Sequence, residues 1–353
     1  MFTYVYNIDN EQYLILAFFE KKHKTFIFKG GIHIMEQSQK RRDIIKAAKL
    51  YYYGNMSQQE IAQLMNISRP KVSRLLTEAR QLNIVQITIR DPRMSLEQNA
   101  EKLKKHFNLR FVGIVPSAVN DEATKVNVGR AASDFLNSNM KDHTKIGISW
   151  GTTLCAFTRE FQAKTSFPNA MVVQLVGGTY SPNLNIDARE LVKVIAHKLQ
   201  CTPCILQAPL IVSDPALRDL LMKEPAVIEH FRQIHSLDIA FVGLGSSYYK
   251  DSIAYRANYI EEEEARRLGD LGLVCDICGH QLLEDGSEPD TFLSNRVIGV
   301  TMEELHKVPL VVGLCAGHKK TQPILAALRG RHINALIIDE VAAISLLTAE
   351  QIL

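Results

Sequence analysis

Residues 51–76 read YYYGNMSQQEIAQLMNISRPKVSRLL, and the order of stops, caps and apolar positions in that stretch predicts a helix-turn-helix. Gly54-Asn55 stops a helix that runs up from Lys40 with Ile44, Ala47, Ala48 and Tyr51 on one face. Ser57 and Glu60 have the spacing of a capping box, in which each satisfies an N–H the helix itself leaves open. Ile61, Ala62 and Leu64 then supply the buried side of a short second helix, and Met65-Asn66-Ile67 makes the turn. Ser68 is placed to cap a third helix, and Pro70 falls in its first turn, where no N–H partner is needed. Val72, Leu75, Leu76 and Ala79 form the apolar stripe of that helix, and Arg69, Lys71, Ser73, Arg74 and Thr77 lie on its polar face. In this arrangement the N-terminal part of the last helix enters the major groove of DNA. The candidate DNA contacts are therefore Ser57, Gln58, Ser68, Arg69, Lys71, Ser73 and Arg74. A solvated basic helix in an ordinary helical hairpin is the plainer alternative; caps, turn length, stripe and charge together favour DNA. From Ile84 to Arg90 the chain alternates apolar and polar (IVQITIR), which predicts a strand and hence a wing.

The charge distribution agrees. Residues 35–93 carry a net +6 and residues 1–34 carry +1, so the overall +3 leaves −4 on residues 94–353. A basic segment joined to a mildly acidic remainder is the pattern of a nucleic-acid module attached to a ligand domain. The length of 353 residues suggests two domains, and 46% hydrophobic residues suffice for real cores. Six cysteines without a signal peptide read as reduced thiols in a cytoplasmic protein. The apolar run Tyr13 to Phe19 is too short to span a bilayer, so no membrane partner is expected.

Residues 1–34 admit two readings. Lys29-Gly30-Gly31 can be encoded by AAA-GGA-GGN, a purine-rich ribosome-binding sequence three codons before Met35, so translation could start there. Alternatively YVYNIDNEQYLILAF forms a hairpin around Asp9-Asn10. The intact mass of protein from its native host separates the two. The expected division is 1–34, a DNA-binding domain 35–93, and an effector and oligomerisation domain 94–353.

Beyond Ser95, which opens an amphipathic helix with Leu96, Ala100, Leu103 and Phe107 on one face, strand-like and helical runs alternate. FVGIV precedes a helix over 122–139, KIGIS one over 152–161 and MVVQL one over 186–199; DIAFVGLG, VPLVVGLC, a helix over 321–329 and ALIID follow. Repeated βα alternation predicts a mostly parallel, Rossmann-like sheet covered by helices, with ligands at the carboxyl ends of the strands. Four loops leave those ends: Gly147 to Thr153, containing Ser149, Gly151, Thr152 and Thr153; Gln174 to Thr179, containing Gly177 and Gly178; Gly243 to Ser246; and Ala316 to Lys320. Glycines allow close backbone approach and helix N-termini attract anions, so an anionic or polyhydroxy ligand fits them.

These residues resemble the SorC family of sugar-binding transcriptional regulators, from Arg41 to the C-terminus. The resemblance rests on the quoted helix-turn-helix, GISWGTT, VVQLVGG, VGLGS and the closing GHKKTQPILAALRGRHINALIIDEVAA. It implies a sugar-phosphate-isomerase-like effector domain, control of operator binding by a sugar or phosphosugar, and homodimers or homotetramers on double-stranded operator DNA. It also implies phosphate-side contacts at Thr152, Thr153 and Lys320 and sugar-side contacts at Gln174, Gly177, Gly178 and Asp276. A deoxyribose-phosphate-responsive member has a Schiff-base lysine in a QLKGG loop where this chain has Val176, which argues against covalent capture. The family's V-G-D-I segment reads Val274-Cys275-Asp276-Ile277 here.

Other readings are weaker. Cys201-Thr-Pro-Cys204 and Cys275-Asp-Ile-Cys278 have zinc-chelating spacing, but seventy residues separate them, and small buried thiols are the expectation. Trp150 is expected in the core, His318 as a hydrogen-bonding loop residue, and Glu261 to Glu264 as a solvated helix start. An isomerase or deaminase would need a positioned base, and no loop offers a carboxylate or His pair for one. No enzyme activity, cofactor or metal is expected.

Overall fold

The computed structural model describes residues 2–8, 11–17, 31–54, 56–82, 84–85, 92–179, 187–247, 255 and 258–352; the side chains of 2–17, 31–39, 92–94 and 318 lie outside that description. The chain divides into two compact units, Met1–Ile89 and Arg90–Leu353.

In the first unit β1 (Phe2–Ile8) pairs antiparallel with β2 (Glu11–Ala17), Ile8 opposite Glu11. Helix α1 (Gly31–Tyr52) begins before Met35, earlier than the apolar spacing alone indicates. It packs with α2 (Gln58–Met65) and α3 (Arg69–Gln81) around Ile44, Ala47, Ile61, Val72, Leu75, Leu76 and Ala79. Leu64, read as buried, is 57% exposed. A two-turn helix turns only one narrow face inward, and in α2 that face is Ile61 and Ala62 with half-buried Met65. Asn66 ends α2 in the left-handed conformation, and Lys40 bonds Glu78 across α1 and α3 at 2.8 Å. Of the expected wing, Ile84 and Val85 form a bend against this core, with the Val85 N–H donating to Ala79 O at 3.0 Å; residues 86–90 lie outside the description.

The second unit opens with α4 (Pro92–His106), which starts a turn before Ser95. There follow β3 (Phe111–Val115), α5 (Asp121–Asn139), β4 (Lys145–Ile148), α6 (Thr152–Glu160), β5 (Met171–Gln174), α7 (Ala188–Leu199) and β6 (Thr202–Cys204). Next come α8 (Pro215–Leu221), α9 (Pro225–Ile234), β7 (Ile239–Gly243), β8 (Gly245–Ser246), α10 (Glu262–Asp270), β9 (Cys275–Ile277) and β10 (His280–Leu282). The chain ends through α11 (Met302–Lys307), β11 (Leu310–Leu314), α12 (Thr321–Arg329), β12 (Ala335–Asp339) and α13 (Glu340–Ala349).

Among the described residues, seven strands form one parallel sheet in the order β3-β12-β11-β7-β4-β5-β6. Its central strands are buried on both faces, as β12 (ALIID) is at every position, which is why they read as continuous apolar runs. The small antiparallel sheet β10-β9-β8 sits beside it. From β4 the chain winds to β5 and β6; from β7 it winds the other way to β11 and β12. The direction reverses between β4 and β7, and in open α/β sheets ligands bind outside the carboxyl ends of the strands at such a reversal.

Candidate functional site

Both strands at the reversal feed loops singled out by sequence. The Ser149 N–H continues the ladder by donating to Phe241 O at 3.1 Å, and Trp150 is buried. Gly151 occupies the N-cap of α6 with φ +129, a backbone conformation side chains rarely adopt, and nothing lies within 4 Å of where a Cβ would be. The first bond of α6 runs from the Cys155 N–H to Gly151 O, and no side chain caps the helix. The N–H groups of Thr152, Thr153 and Leu154 thus have no intrahelical acceptor and form the positive end of the helix dipole at the carboxyl end of β4. The Thr152 side chain is exposed; that of Thr153 is buried, so Thr153 offers its backbone.

Three more residues converge there. Lys320 ends the 3-10 turn His318–Lys320 and donates from Nζ to Leu244 O, beyond β7, at 3.4 Å. Asp276 on β9 is paired with Gly245 of β8. The Cys278 thiol donates to Ser149 Oγ at 3.4 Å, which holds the β9–β10 turn against the end of β4. Asp276 accepts from the Gly279 N–H at 3.3 Å and from Gln281 Nε2, and Gln281 Oε1 accepts from Ser247 Oγ at 2.6 Å. Burial pushes the Asp276 carboxyl up to about 6; those hydrogen bonds, His280 and Lys320 pull it back only in part. Ser149, Gly151, Thr152, Thr153, Asp276 and Lys320 are therefore gathered at the reversal. Sequence reading missed Ser247, Gly279 and Gln281; the signal available for the last two was a short turn at Cys278-Gly279, with φ of +56 and +88, between β-like runs.

Gln174, Gly177 and Gly178 stand otherwise. Gln174 is fully buried: its Nε2 donates to Val176 O at 2.6 Å and its Oε1 accepts from the Leu206 N–H at 3.1 Å. The Gly177 N–H donates to Ile298 O at 2.9 Å and the Gly178 N–H to Ala208 O at 2.8 Å. A Cβ on Gly177 would lie 2.2 Å from Pro209 O, so the glycine is there to let two loops touch. The resemblance implies sugar-side contacts at these three; in the structure the Gln174 amide and the two glycine N–H groups bond within the protein.

On α3, Arg69, Lys71, Ser73 and Arg74 are exposed along the face opposite Val72, Leu75 and Leu76. The expected capping box is present: the Ser57 N–H donates to Glu60 Oε2 at 2.8 Å and the Glu60 N–H to Ser57 Oγ at 3.3 Å, bonds that hold the Glu60 carboxyl below its usual range. Ser57 and Ser68 are exposed and Gln58 half-exposed. Ser68 has the extended backbone of an N-cap but makes no capping bond, which corrects its expected structural role and leaves its hydroxyl to other donors and acceptors. The Thr77 hydroxyl donates back to Ser73 O at 3.0 Å.

Burial raises all the cysteine thiols: Cys201 to about 11, Cys278 to about 12, Cys315 to about 11, and Cys155, Cys204 and Cys275 also upward. Among the described residues no cluster of three or more His, Cys, Asp or Glu is arranged to hold a metal ion, and no helix is long and apolar enough to cross a membrane. A cavity of about 150 Å³ bounded by Ile234, His235, Leu237, Glu304, Lys307 and Val308 lies before β7 and β11, at the opposite end of the sheet from these residues.

Comparison with known proteins adds to this geometry. Residues 91–348 match the family model described as "Putative sugar-binding domain", and residues 38–82 match that of sigma-70 region 4. The deoxyribonucleoside regulator of Bacillus subtilis (strain 168) is 30% identical over 303 residues, 86% of this chain and 96% of that protein. The crystal structure of the full-length sorbitol operon regulator SorC from Klebsiella pneumoniae superposes with a TM-score of 0.68 at 28% identity, covering 87% of this chain and 98% of that one. A DeoR family transcriptional regulator from Listeria monocytogenes gives 0.66 at 26% identity, covering 72% and 100%.

Proposed function

The chain belongs to the SorC family of sugar-binding transcriptional regulators, and from that premise we propose that it regulates a carbohydrate-utilisation operon, its grip on operator DNA set by a sugar or phosphosugar bound at the β4–β7 reversal. One observation carries the effector reading: the uncapped N-terminus of α6, the Lys320 ammonium and the Asp276 carboxyl meet at one place. A phosphate fits the first two, since Thr152 and Thr153 supply N–H donors and Lys320 a charge. A carboxyl that accepts from sugar hydroxyls fits the third. Ser149 and Gly151 line the same crevice; Gln174, Gly177 and Gly178 support it from behind.

Operator contact falls to Arg69, Lys71, Ser73 and Arg74, with Ser57, Gln58 and Ser68 toward the phosphates at the helix N-termini. A palindromic operator requires a symmetric oligomer, a homodimer or homotetramer in the cytoplasm. The effector shifts DNA affinity only if it binds one arrangement of the protein better than another. An enzyme reading is not favoured. Asp276, the carboxylate of the site, is enclosed by Gln281 and Gly279 rather than paired with a second acid or base.

Thermal shift of the full chain against glucose 6-phosphate, ribose 5-phosphate, 2-deoxyribose 5-phosphate, sorbitol 6-phosphate and their parent sugars tests the proposal. A ligand at a hundred times its dissociation constant adds about 2.7 kcal/mol. A selective shift by one phosphosugar supports the site. Shifts with parent sugars alone remove Lys320 from a phosphate role, and turnover of any of them would establish an enzyme instead.

A further inference from the structure

We propose that α13 is a strut tying the Lys320 turn to α4, the helix from which the chain runs back to the DNA-binding unit, and that Asp339 and Ser117 are the positioning residues that fix it. The proposal rests on the reading that the Lys320 turn meets the effector, and it names how that site is coupled to the rest of the protein.

Asp339 ends β12 and is 1% exposed. Its Oδ1 accepts from the Gly317 N–H at 2.7 Å and its Oδ2 from the Ser117 hydroxyl at 2.7 Å. Gly317 precedes the 3-10 turn that carries Lys319 and Lys320. Although Asp339 is the N-cap residue of α13, it makes no capping bond to that helix. Ser117, 222 positions away in the chain, does so instead, its Oγ accepting from the Val341 N–H at 3.1 Å. One buried carboxylate therefore joins the cationic turn, the end of β3 and the first turn of α13.

The body of α13 packs against the 3-10 turn and against α4. Its ten residues span about 15 Å. At the far end Glu350 lies between two partners: its Oε2 is 3.0 Å from His106 Nε2, the last residue of α4, and its Oε1 accepts from Arg329, the last residue of α12, at 2.9 Å. Burial opposes the charge on Glu350, but the bonds from His106 and Arg329 outweigh it and hold the carboxyl below its usual range. The helix is thus pinned by a carboxylate at each end, one to the Lys320 turn and one to α4.

A simple cap at position 339 would have sufficed to start α13. Routing the carboxylate through Gly317 means that the turn cannot move toward a bound anion without either breaking a buried charge-assisted bond or shifting α13. A shift of α13 is passed to α4 at Glu350–His106.

The test is hydrogen–deuterium exchange of the full chain without any effector, comparing the unaltered protein with Ser117→Ala and Ser117→Thr. Removing the hydroxyl takes a partner from the buried Asp339 carboxyl and from the Val341 N–H, so exchange is expected to rise about tenfold in residues 317–320 and 341–344 and also in residues 100–106 of α4. Ser117→Thr, which keeps the hydroxyl, restores the original rates. A rise confined to 317–344 with α4 unchanged overturns the strut. Should Ser117→Ala fail to fold, Glu350→Gln loosens the other end; faster exchange reaching 317–320 supports the strut, and a change limited to 100–106 overturns it. Because no ligand is used, this outcome is independent of the thermal-shift result on which the effector reading stands.

Discussion

Asp276→Asn is expected to stabilise the protein at neutral pH while weakening it as a receptor. In the folded chain the carboxyl is pushed up to about 6 by burial, against 3.8 for the free side chain. Between those values the folded state keeps a proton that the unfolded state has lost, so this group's contribution to stability falls as pH rises through the window. At 1.36 kcal/mol for each pH unit, the charged carboxylate costs the fold about 3 kcal/mol at pH 7 relative to pH 3.5. Asparagine has nearly the same shape and carries no charge, and rotation of the Gln281 amide keeps the hydrogen bond between them. The variant should match the unaltered protein near pH 4 and exceed it by up to about 3 kcal/mol at pH 7, a melting difference of about 6–12 °C for a unit of this size. Asp187 and Glu350 are held below their usual range and tilt both curves the other way, so the informative quantity is the difference between the two proteins. Thermal unfolding from pH 4 to 7.5 measures it. Curves that run parallel across the range would refute the argument, because they would mean that Asp276 is solvated and the crevice open to water at that wall. In the same series effector affinity should be lower for Asp276→Asn above pH 6, where the native carboxylate is a charged acceptor.

Lys320→Ala should leave operator affinity intact and abolish the response to a phosphosugar in a fluorescence-anisotropy titration; a retained response removes Lys320 from the site. Arg74→Ala should weaken operator binding, and if Arg74 meets only phosphate the slope of log affinity against log salt shrinks by about one. Ser57→Ala removes one half of the α2 capping box and should cost about 1 kcal/mol, read as an earlier urea transition of the DNA-binding unit with the larger unit unchanged. Gly177→Ala places a methyl 2.2 Å from Pro209 O and should lower the melting temperature of the larger unit. An unchanged melt would show that the loop carrying Pro209 yields freely.

The features legible in the sequence are those whose physics is local. The capping box at Ser57 and Glu60, the left-handed Asn66, and the stripe from Val72 to Ala79 depend on neighbours within four residues, and each is present. Ser68 reads the same way but makes no capping bond, because an N-cap residue type shows where a helix starts, not which way its hydroxyl turns. The parallel sheet was legible from alternation, yet its reversal point was not. That point follows from strand order, which brings β4 and β7 together across more than ninety residues of chain. Gln174, Gly177 and Gly178 mark the limit most clearly. A glycine pair after a strand signals close approach, but only the fold shows that the backbone of Ala208, Pro209 and Ile298 approaches there.

The charges left at the reversal carry the argument about ligand type further. Among the described residues Lys320 Nζ bonds one carbonyl, Leu244 O, at 3.4 Å, a long bond to a neutral acceptor for a half-buried ammonium. Asp276 is ionised at neutral pH only against its burial. A neutral sugar could satisfy the carboxylate with hydroxyl donors, but the ammonium and the N–H groups opening α6 would still lack an anion. A phosphate without a sugar would do the reverse. Under the proposed function a phosphorylated sugar would answer both at once, exchanging Lys320's weak carbonyl bond for charge-assisted ones. Its affinity should exceed that of either fragment, and an effector lacking the phosphate should bind without drawing the Lys320 turn from Leu244.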